Sequence, residues 1–197
     1  MSAYSLYENN ELQKKIIKLN NFIEMNPKGV LTEYAHYLLA MCYYSQVSSE
    51  GRDPSLTKEA LNNFRLIATK YPNTKYGKDS KLKIQYLENT LARNELNIGK
   101  FYLNKSAPVS AIKRFKFILQ NFENTSVIPE TLYRLTEALL LIGLKEEAMK
   151  SSAILTYNFS DNKWSRLSEK LIENKINFAQ TKDSSSSIID YFKNIFE

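Results

Sequence analysis

Three pairs of an alanine and an aromatic, each eleven residues apart, mark an internal repeat in this chain of 197 residues: Ala60 and Tyr71, Ala111 and Phe122, Ala148 and Phe159. A polar stop follows each aromatic, Pro72-Asn73-Thr74, Glu123-Asn124-Thr125 and Ser160-Asp161-Asn162 in turn. Between the marks, apolar residues recur at helical spacing: Leu61, Phe64, Ile67 and Ala68 in one unit, Ile112, Phe115, Ile118 and Leu119 in the next. A weaker fourth unit runs from Lys15 through Leu19, Phe22 and Ile23 to Asn26-Pro27. A short unit of this kind cannot bury its apolar face alone, so neighbouring units must stack on one another. Gly and Pro together number only 10, so little interrupts the helices and the fold class is all-α.

Upstream of the marks stands a small residue three before a larger one: Ala40 and Tyr43, Gly99 and Tyr102, Thr136 and Leu139. Gly99 precedes Ala111 by 12 residues and Thr136 precedes Ala148 by 12. Two helices of a pair cross closely only where one side chain is small. Gly99, Tyr102, Ala111 and Phe115 thereby resemble the tetratricopeptide repeat, with Glu123 in place of its terminal proline. The resemblance implies a solenoid of antiparallel helix pairs over 1–176, with a partial first repeat at 1–28, repeats at about 32–73, 90–125 and 128–160, and a capping helix at 163–176. Intervals longer than the usual repeat place a loop at Val47–Leu56, around Gly51 and Asp53-Pro54, and one long or two nearly collinear helices from Lys75 to Asn104. If Lys15 stands at the repeat alanine, the matching small residue is Ala3, and the first helix of that repeat begins before Met1. The expectation is an N-terminally truncated stack.

The net charge of +6 is concentrated: residues 74–118 carry +7, against +1 for 1–73 and −2 for 119–197. Such a segment attracts polyanions, anionic lipid or an acidic protein face, or else is a solvated helix surface, as Lys75, Lys78, Lys81 and Lys83 suggest by their spread around a helix. One His and one Cys, His36 and Cys42, are too few for a zinc site, a disulfide or a redox pair. No phosphate-binding or hydrolase motif occurs, so no catalytic residue, metal ligand or cofactor is expected. Toward the end, 177–187 is a Ser-rich linker by composition. Ile188, Tyr191, Phe192, Ile195 and Phe196 then fall on one face of a short amphipathic helix at 188–197. That face, with Ile188, Phe192, Ile195 and Phe196 as its anchors, either docks on a partner or packs on the solenoid end.

The particular words inside the repeats are more specific than the repeat itself. Glu33 to Gln46, Gly51-Arg52-Asp53, Tyr71-Pro72-Asn73-Thr74 with Tyr76, Leu91-Ala92 with Glu95, Gly99 and Tyr102, and then Ala111, Arg114, Thr125, Leu132, Glu137-Ala138, Gly143-Leu144, Glu147-Ala148, Asn158-Phe159 and Trp164 resemble the BamD family. These are the tetratricopeptide lipoproteins of the outer-membrane β-barrel assembly machinery, and the resemblance covers about residues 4–172. It implies a non-enzymatic scaffold at the periplasmic face of the outer membrane, partnered by BamA, other subunits of the complex and unfolded outer-membrane protein clients, with no nucleic acid expected. The family's secretory signal and lipidated cysteine have no counterpart in the sequence, so the anchor is expected to be absent from this chain. The family's Gly-x-Tyr turn before Ala111 is replaced by Ala107-Pro108-Val109, which still stops a helix.

In a tetratricopeptide stack the first helix of each pair lines the concave face. Counting from the small positions aims Tyr34, Tyr37, Met41 and Tyr44 there from one repeat and Arg93, Leu96 and Lys100 from the next. Tyrosine offers apolar area and a hydroxyl, and Arg or Lys meets a carboxylate, which suits an extended, aromatic-rich peptide with a free C-terminus. The resemblance implies that ligand: the C-terminal signal of an unfolded outer-membrane protein. The same tyrosines could instead pack between repeats. For the BamA contact, Arg114 is the leading candidate. Arg52 and Asp53 are the others, or form a salt bridge that only shapes their loop. Two rival functions stay open, a generic tetratricopeptide adaptor of another complex and a nucleic-acid binder using the basic helix at 75–116. His36 reads as a packed or surface histidine and Cys42 as a small buried hydrophobe.

Overall fold

In a computed structural model of the chain, the described residues are 3–47 and 54–179, with side chains described over 11–47 and 54–174. Eight helices and no strand occur among the described residues: α1 (Ala3–Met25), α2 (Thr32–Tyr44), α3 (Pro54–Lys70), α4 (Lys75–Asn104), α5 (Pro108–Asn121), α6 (Ile128–Leu141), α7 (Lys145–Asn158) and α8 (Lys163–Ala179). None of them is long and apolar enough to cross a membrane. The chain divides into two compact units, Met1–Leu91 and Ala92–Glu197, with the division inside α4. The helix pairs are of the tetratricopeptide kind, and the long reading of Lys75 to Asn104 is realised as one helix of 30 residues.

In the first unit α2 packs against both α1 and α3. Ala40, Ala60, Phe64, Ile67 and Leu87 have no exposed surface, and Leu39 and Leu61 are nearly as buried. The turn from α3 into α4 is tied locally. The Thr74 hydroxyl accepts the Gly77 amide at 3.1 Å and donates to the Tyr71 carbonyl at 3.0 Å, a cap for the first turn of α4. A Cβ at Gly77 would collide with that same Tyr71 carbonyl, so only glycine fits there.

The first helix departs from the expected register. Ala3 and Lys15 were assigned to successive helices by spacing, yet both lie on one continuous α1. The stretch contains no Gly or Pro that would break it. Lys15 is exposed, unlike the fully buried Ala60, Ala111 and Ala148, and the neighbouring Ile16 supplies the buried position. A lysine cannot fill a site that accepts only a methyl group, so the apolar stripe shifts by one residue. The loop expected through Leu56 also ends earlier, because Pro54 already opens α3, where its fixed φ and missing N–H cost nothing.

The second unit holds a contiguous aliphatic core. Ala92 and Leu96 of α4, Ala111, Ile112, Phe115 and Ile118 of α5, Leu132, Leu135, Ala138 and Leu139 of α6, and Ala148 and Leu155 of α7 form it, with Trp164 and Ile172 of α8 packed against it. Gly99 lies against the Phe115 ring so closely that a Cβ would overlap three ring carbons, the physical content of the small position read from sequence. Helices α4 and α6 end alike: the Ala107 amide donates to the Tyr102 carbonyl at 2.9 Å and the Leu144 amide to Leu139 at 3.0 Å. The residue before each donor is left-handed, Ser106 at φ 55° and Gly143 at φ 81°, as this helix-ending motif requires. Helix α8 lies on both α6 and α7, joined through the buried Ser168–Ser152 hydroxyl pair at 2.8 Å.

Candidate functional site

The first unit carries a run of aromatic rings along α2, α3 and α4. Tyr34 lies 5.4 Å from Tyr76, Tyr76 lies 4.8 Å from Tyr37, Tyr37 lies 6.1 Å from Phe64, Phe64 lies 5.9 Å from Tyr44 and Tyr44 lies 6.0 Å from Tyr86. These are offset and edge-on geometries, each contributing about 0.5–1.5 kcal/mol beyond burial. The run is anchored in the middle and open at its ends: Phe64 is fully buried, while Tyr34 and Tyr86 are 43% and 51% exposed. Three of the four α2 residues assigned to a groove, Tyr34, Tyr37 and Tyr44, are therefore together, and they both pack between helices and present surface.

Two charged groups sit in this aromatic face. The Tyr37 hydroxyl donates to Asp79 Oδ2 at 2.6 Å, and Lys83 Nζ meets the same oxygen at 3.3 Å while lying 5.2 Å from the Tyr44 ring centre. Burial, and then the hydrogen bond to Asp79 and its charge, push the Tyr37 phenol up to about 12, because both disfavour the phenolate. The phenol is accordingly a firm donor at any physiological pH. Tyr76, Asp79, Lys83 and Tyr86 were not anticipated as part of the face. Their spacing of three, four and three along α4 is the signal that could have found them, since it puts all four on one stripe.

Met41 belongs elsewhere. It lines a cleft between α1 and α2 with Leu38, Cys42 and Ser45. Leu96 is likewise removed from any groove: at 2% exposure it is core, sharing with Ala92 and Gly99 the stripe that packs on α5. Of the two cations expected beside the tyrosines, Arg93 is exposed and Lys100 donates to Glu130 at 2.9 Å. Both lie in the second unit, whereas the tyrosines lie in the first.

In the second unit, Arg134 donates to Glu137 at 2.8 Å, stands 3.9 Å from Glu130 and lies over the rings of Tyr133 and Trp164, at 5.2 and 5.7 Å from their centres. Arg114 donates to Glu95 at 3.1 Å and keeps 42% of its side chain exposed. With Tyr102, Lys113 and Phe117 it lines a shallow cleft of about 310 Å³. The guanidinium is thus oriented by α4 and presented by α5. Arg52, Asp53, Ile188, Phe192, Ile195 and Phe196 lie outside the described residues. Burial pushes the Cys42 thiol up and, with Lys70 assisting, the His36 imidazole down. No group of three or more metal-ligating side chains occurs among the described residues.

Part of the basic segment around α4 is engaged by aromatic and acidic neighbours. Lys75 lies 4.9 Å from the Tyr76 ring centre, and Lys83, Lys100 and Arg114 hold carboxylates.

Comparison with known proteins identifies the family. The family model described as YfiO, outer membrane lipoprotein, matches residues 1–154. The outer membrane protein assembly factor BamD of Rickettsia prowazekii is 39% identical over 174 residues, 88% of this chain and 69% of that protein. Its namesake from Caulobacter vibrioides is 40% identical over 164 residues, 83% of this chain and 54% of its own length. That of Neisseria meningitidis is 26% identical over 168 residues, 80% of this chain and 63% of the relative. With a family model matching most of its length and relatives this similar, the chain belongs to the YfiO/BamD family of outer membrane lipoproteins.

Proposed function

We propose that this chain is a non-enzymatic scaffold of outer-membrane β-barrel protein assembly, working at the periplasmic face of the outer membrane. In this reading the aromatic face of α2 and α4 receives the extended C-terminal signal of an unfolded outer-membrane protein, and the Arg114 cleft of the second unit contacts BamA. The role of the relatives, outer membrane protein assembly factors, supports the process. The aromatic run with exposed ends at Tyr34 and Tyr86 is the observation that supports the client.

The chemistry follows from what the face offers. An extended strand presents alternate side chains to one surface, and aromatic side chains on that strand add to a stack whose central members are already fixed by Phe64. Preformed rings lose little conformational freedom on binding. The Tyr37–Asp79–Lys83 group holds the rings of α2 and α4 in register, so the surface needs no rearrangement. At the Arg114 cleft, a planar guanidinium already oriented by Glu95 can share a partner carboxylate in bidentate fashion. Nothing in this requires bond making or breaking by the protein.

The test is binding of labelled C-terminal peptides of outer-membrane proteins, followed by anisotropy at two salt concentrations, with a scrambled peptide and a single-stranded oligonucleotide as controls. Tyr34→Ala with Tyr86→Ala removes the two exposed rings and leaves Phe64 in place. We expect the variant to weaken authentic peptide at least about tenfold, the loss of about 1.4 kcal/mol, at both salt concentrations. Equal binding of scrambled peptide, or binding confined to the oligonucleotide and abolished by salt, would overturn the assignment.

A further inference from the structure

Helices α2 and α4 carry matching side chains along the aromatic face. Tyr34 and Tyr44 stand ten residues apart on α2, and Tyr76 and Tyr86 stand ten residues apart on α4. Their rings meet as two pairs, Tyr34 with Tyr76 at 5.4 Å and Tyr44 with Tyr86 at 6.0 Å. At 1.5 Å of rise per residue, about 15 Å separates one pair from the other along each helix. Each pair has one ring open to solvent, Tyr34 in the first and Tyr86 in the second. Between the pairs, by position along the helices, come the Tyr37 hydroxyl, Asp79 and Lys83, with Asp79 bonded to both of the others. Phe64, the ring that Tyr37 and Tyr44 both meet, has no exposed surface. All of these residues belong to the first unit.

An extended strand advances about 3.3 Å per residue and turns alternate side chains to the same side. Two residues along it reach only about 7 Å, which sets the second side chain over the Asp79–Lys83 ion pair. Four residues cover about 13 Å and return to the same side, so a second ring reaches the second pair. Five residues point the side chain away, and six overshoot at about 20 Å. We infer that the face reads a spacing: it takes two aromatic side chains four residues apart in an extended client segment, one against Tyr34 and Tyr76 and the other against Tyr44 and Tyr86, with a polar side chain between them over Asp79 and Lys83. The spacing rule rests on the client reading above and adds to it what separates one client segment from another. Two anchors on one strand reinforce each other only where the strand spans both sites at once. Selection therefore falls on the spacing of the aromatic residues and not on their number alone.

The experiment uses the full chain and fluorescein-labelled peptides of equal length and one Ser-Thr-Gln background, each with a free C-terminus. They carry a single phenylalanine, or two phenylalanines at a spacing of two, four, six or eleven. Anisotropy should show the spacing of four binding at least about tenfold more tightly than two, six or the single phenylalanine. In Tyr34→Ala and in Tyr86→Ala that peptide should fall to within about twofold of the single-phenylalanine peptide, whose own binding through the intact pair shows that the variant is folded. Tyr34→Phe should keep the preference. Tightest binding at eleven, which aligns two side chains on one face of a helix over a similar distance, would overturn the inference. So would equal binding at all spacings, or an advantage of four that survives both alanine variants, and each of these results leaves peptide capture itself in place. If neither these peptides nor authentic C-terminal signals bind, the client reading and the spacing rule fall together.

Discussion

The two units spend their aromatic residues differently. In the second unit the core is aliphatic and contiguous, with Phe115 enclosed among Gly99, Ile112 and Ile118, while Trp164 and Tyr133 stack 5.1 Å apart at its margin. In the first unit one buried ring, Phe64, supports a file of tyrosines that continues out to solvent. The same repeat plan therefore gives a closed block in one case and a half-open, hydrogen-bonded face in the other. The difference arises on α2 and α4, which set Tyr34, Tyr37, Tyr44, Tyr76 and Tyr86 in a file about Phe64. A tyrosine can pack its ring and still keep its hydroxyl in water or on a carboxylate such as Asp79. A leucine in its place would have to be covered.

If that contrast is right, the largest stability loss comes from the closed block. Phe115→Ala should cost about 3–5 kcal/mol, read as a lowered denaturant midpoint, because the ring is fully buried and the surrounding helices cannot close over the cavity. A loss under about 1 kcal/mol would mean that the second unit is no more tightly packed than the first. Gly99→Ala comes next. The added methyl gains about 1 kcal/mol of helix propensity but overlaps the Phe115 ring. Overpacking of about 1–3 kcal/mol should win, and thermal unfolding should show a net loss.

Smaller again, and confined to the open face, is Tyr37→Phe. It keeps the ring and removes the donor to Asp79, so about 1 kcal/mol should be lost at neutral pH. The pH dependence has a definite sign. The folded-state phenol is raised to about 12 from 10.0, so the protonated form is the one that folding favours. Its contribution is fully present below about pH 10 and disappears as pH rises toward 12. Wild type and Tyr37→Phe should therefore converge in stability across that window, and ultraviolet titration should show one late-ionising tyrosine missing from the variant. The smallest effect belongs to Arg65→Ala. Its pair with Glu88, at 2.6 Å and half exposed on the arginine side, should be worth less than about 1 kcal/mol and shrink with salt.

Much of the fold was legible in the residues. Ala60, Ala111 and Ala148 are fully buried, and Gly99 and Ala40 mark helix crossings as their size required. The long α4 follows from a stretch whose only glycine before Gly99 is Gly77, in the first turn. The aromatic face was legible in part. Tyr34, Tyr37 and Tyr44 were found from helical counting, but Met41 and Leu96 were placed by the same counting and turned out to face a cleft and the core. An α-helix advances 100° per residue, so counting fixes which residues share a stripe, while which neighbouring helix covers each part of that stripe is set by tertiary packing. Lys15 failed for a related reason, since a one-residue shift in a stripe cannot be seen where the expected alanine is missing.

The sequence by itself determined that this chain is all-α, where its helices stop, which small residues allow close crossings and which family it resembles. Those features are local or periodic, and each is written in consecutive residues. Only the tertiary structure decided which side chains meet across helices: that Asp79 stands between the Tyr37 hydroxyl and Lys83, that Glu95 orients Arg114, and that Lys100 is taken up by Glu130. Partners separated by 19 to 42 residues are brought together by how helices roll against one another. That roll is set by the summed packing of many side chains, which no single spacing along the chain contains.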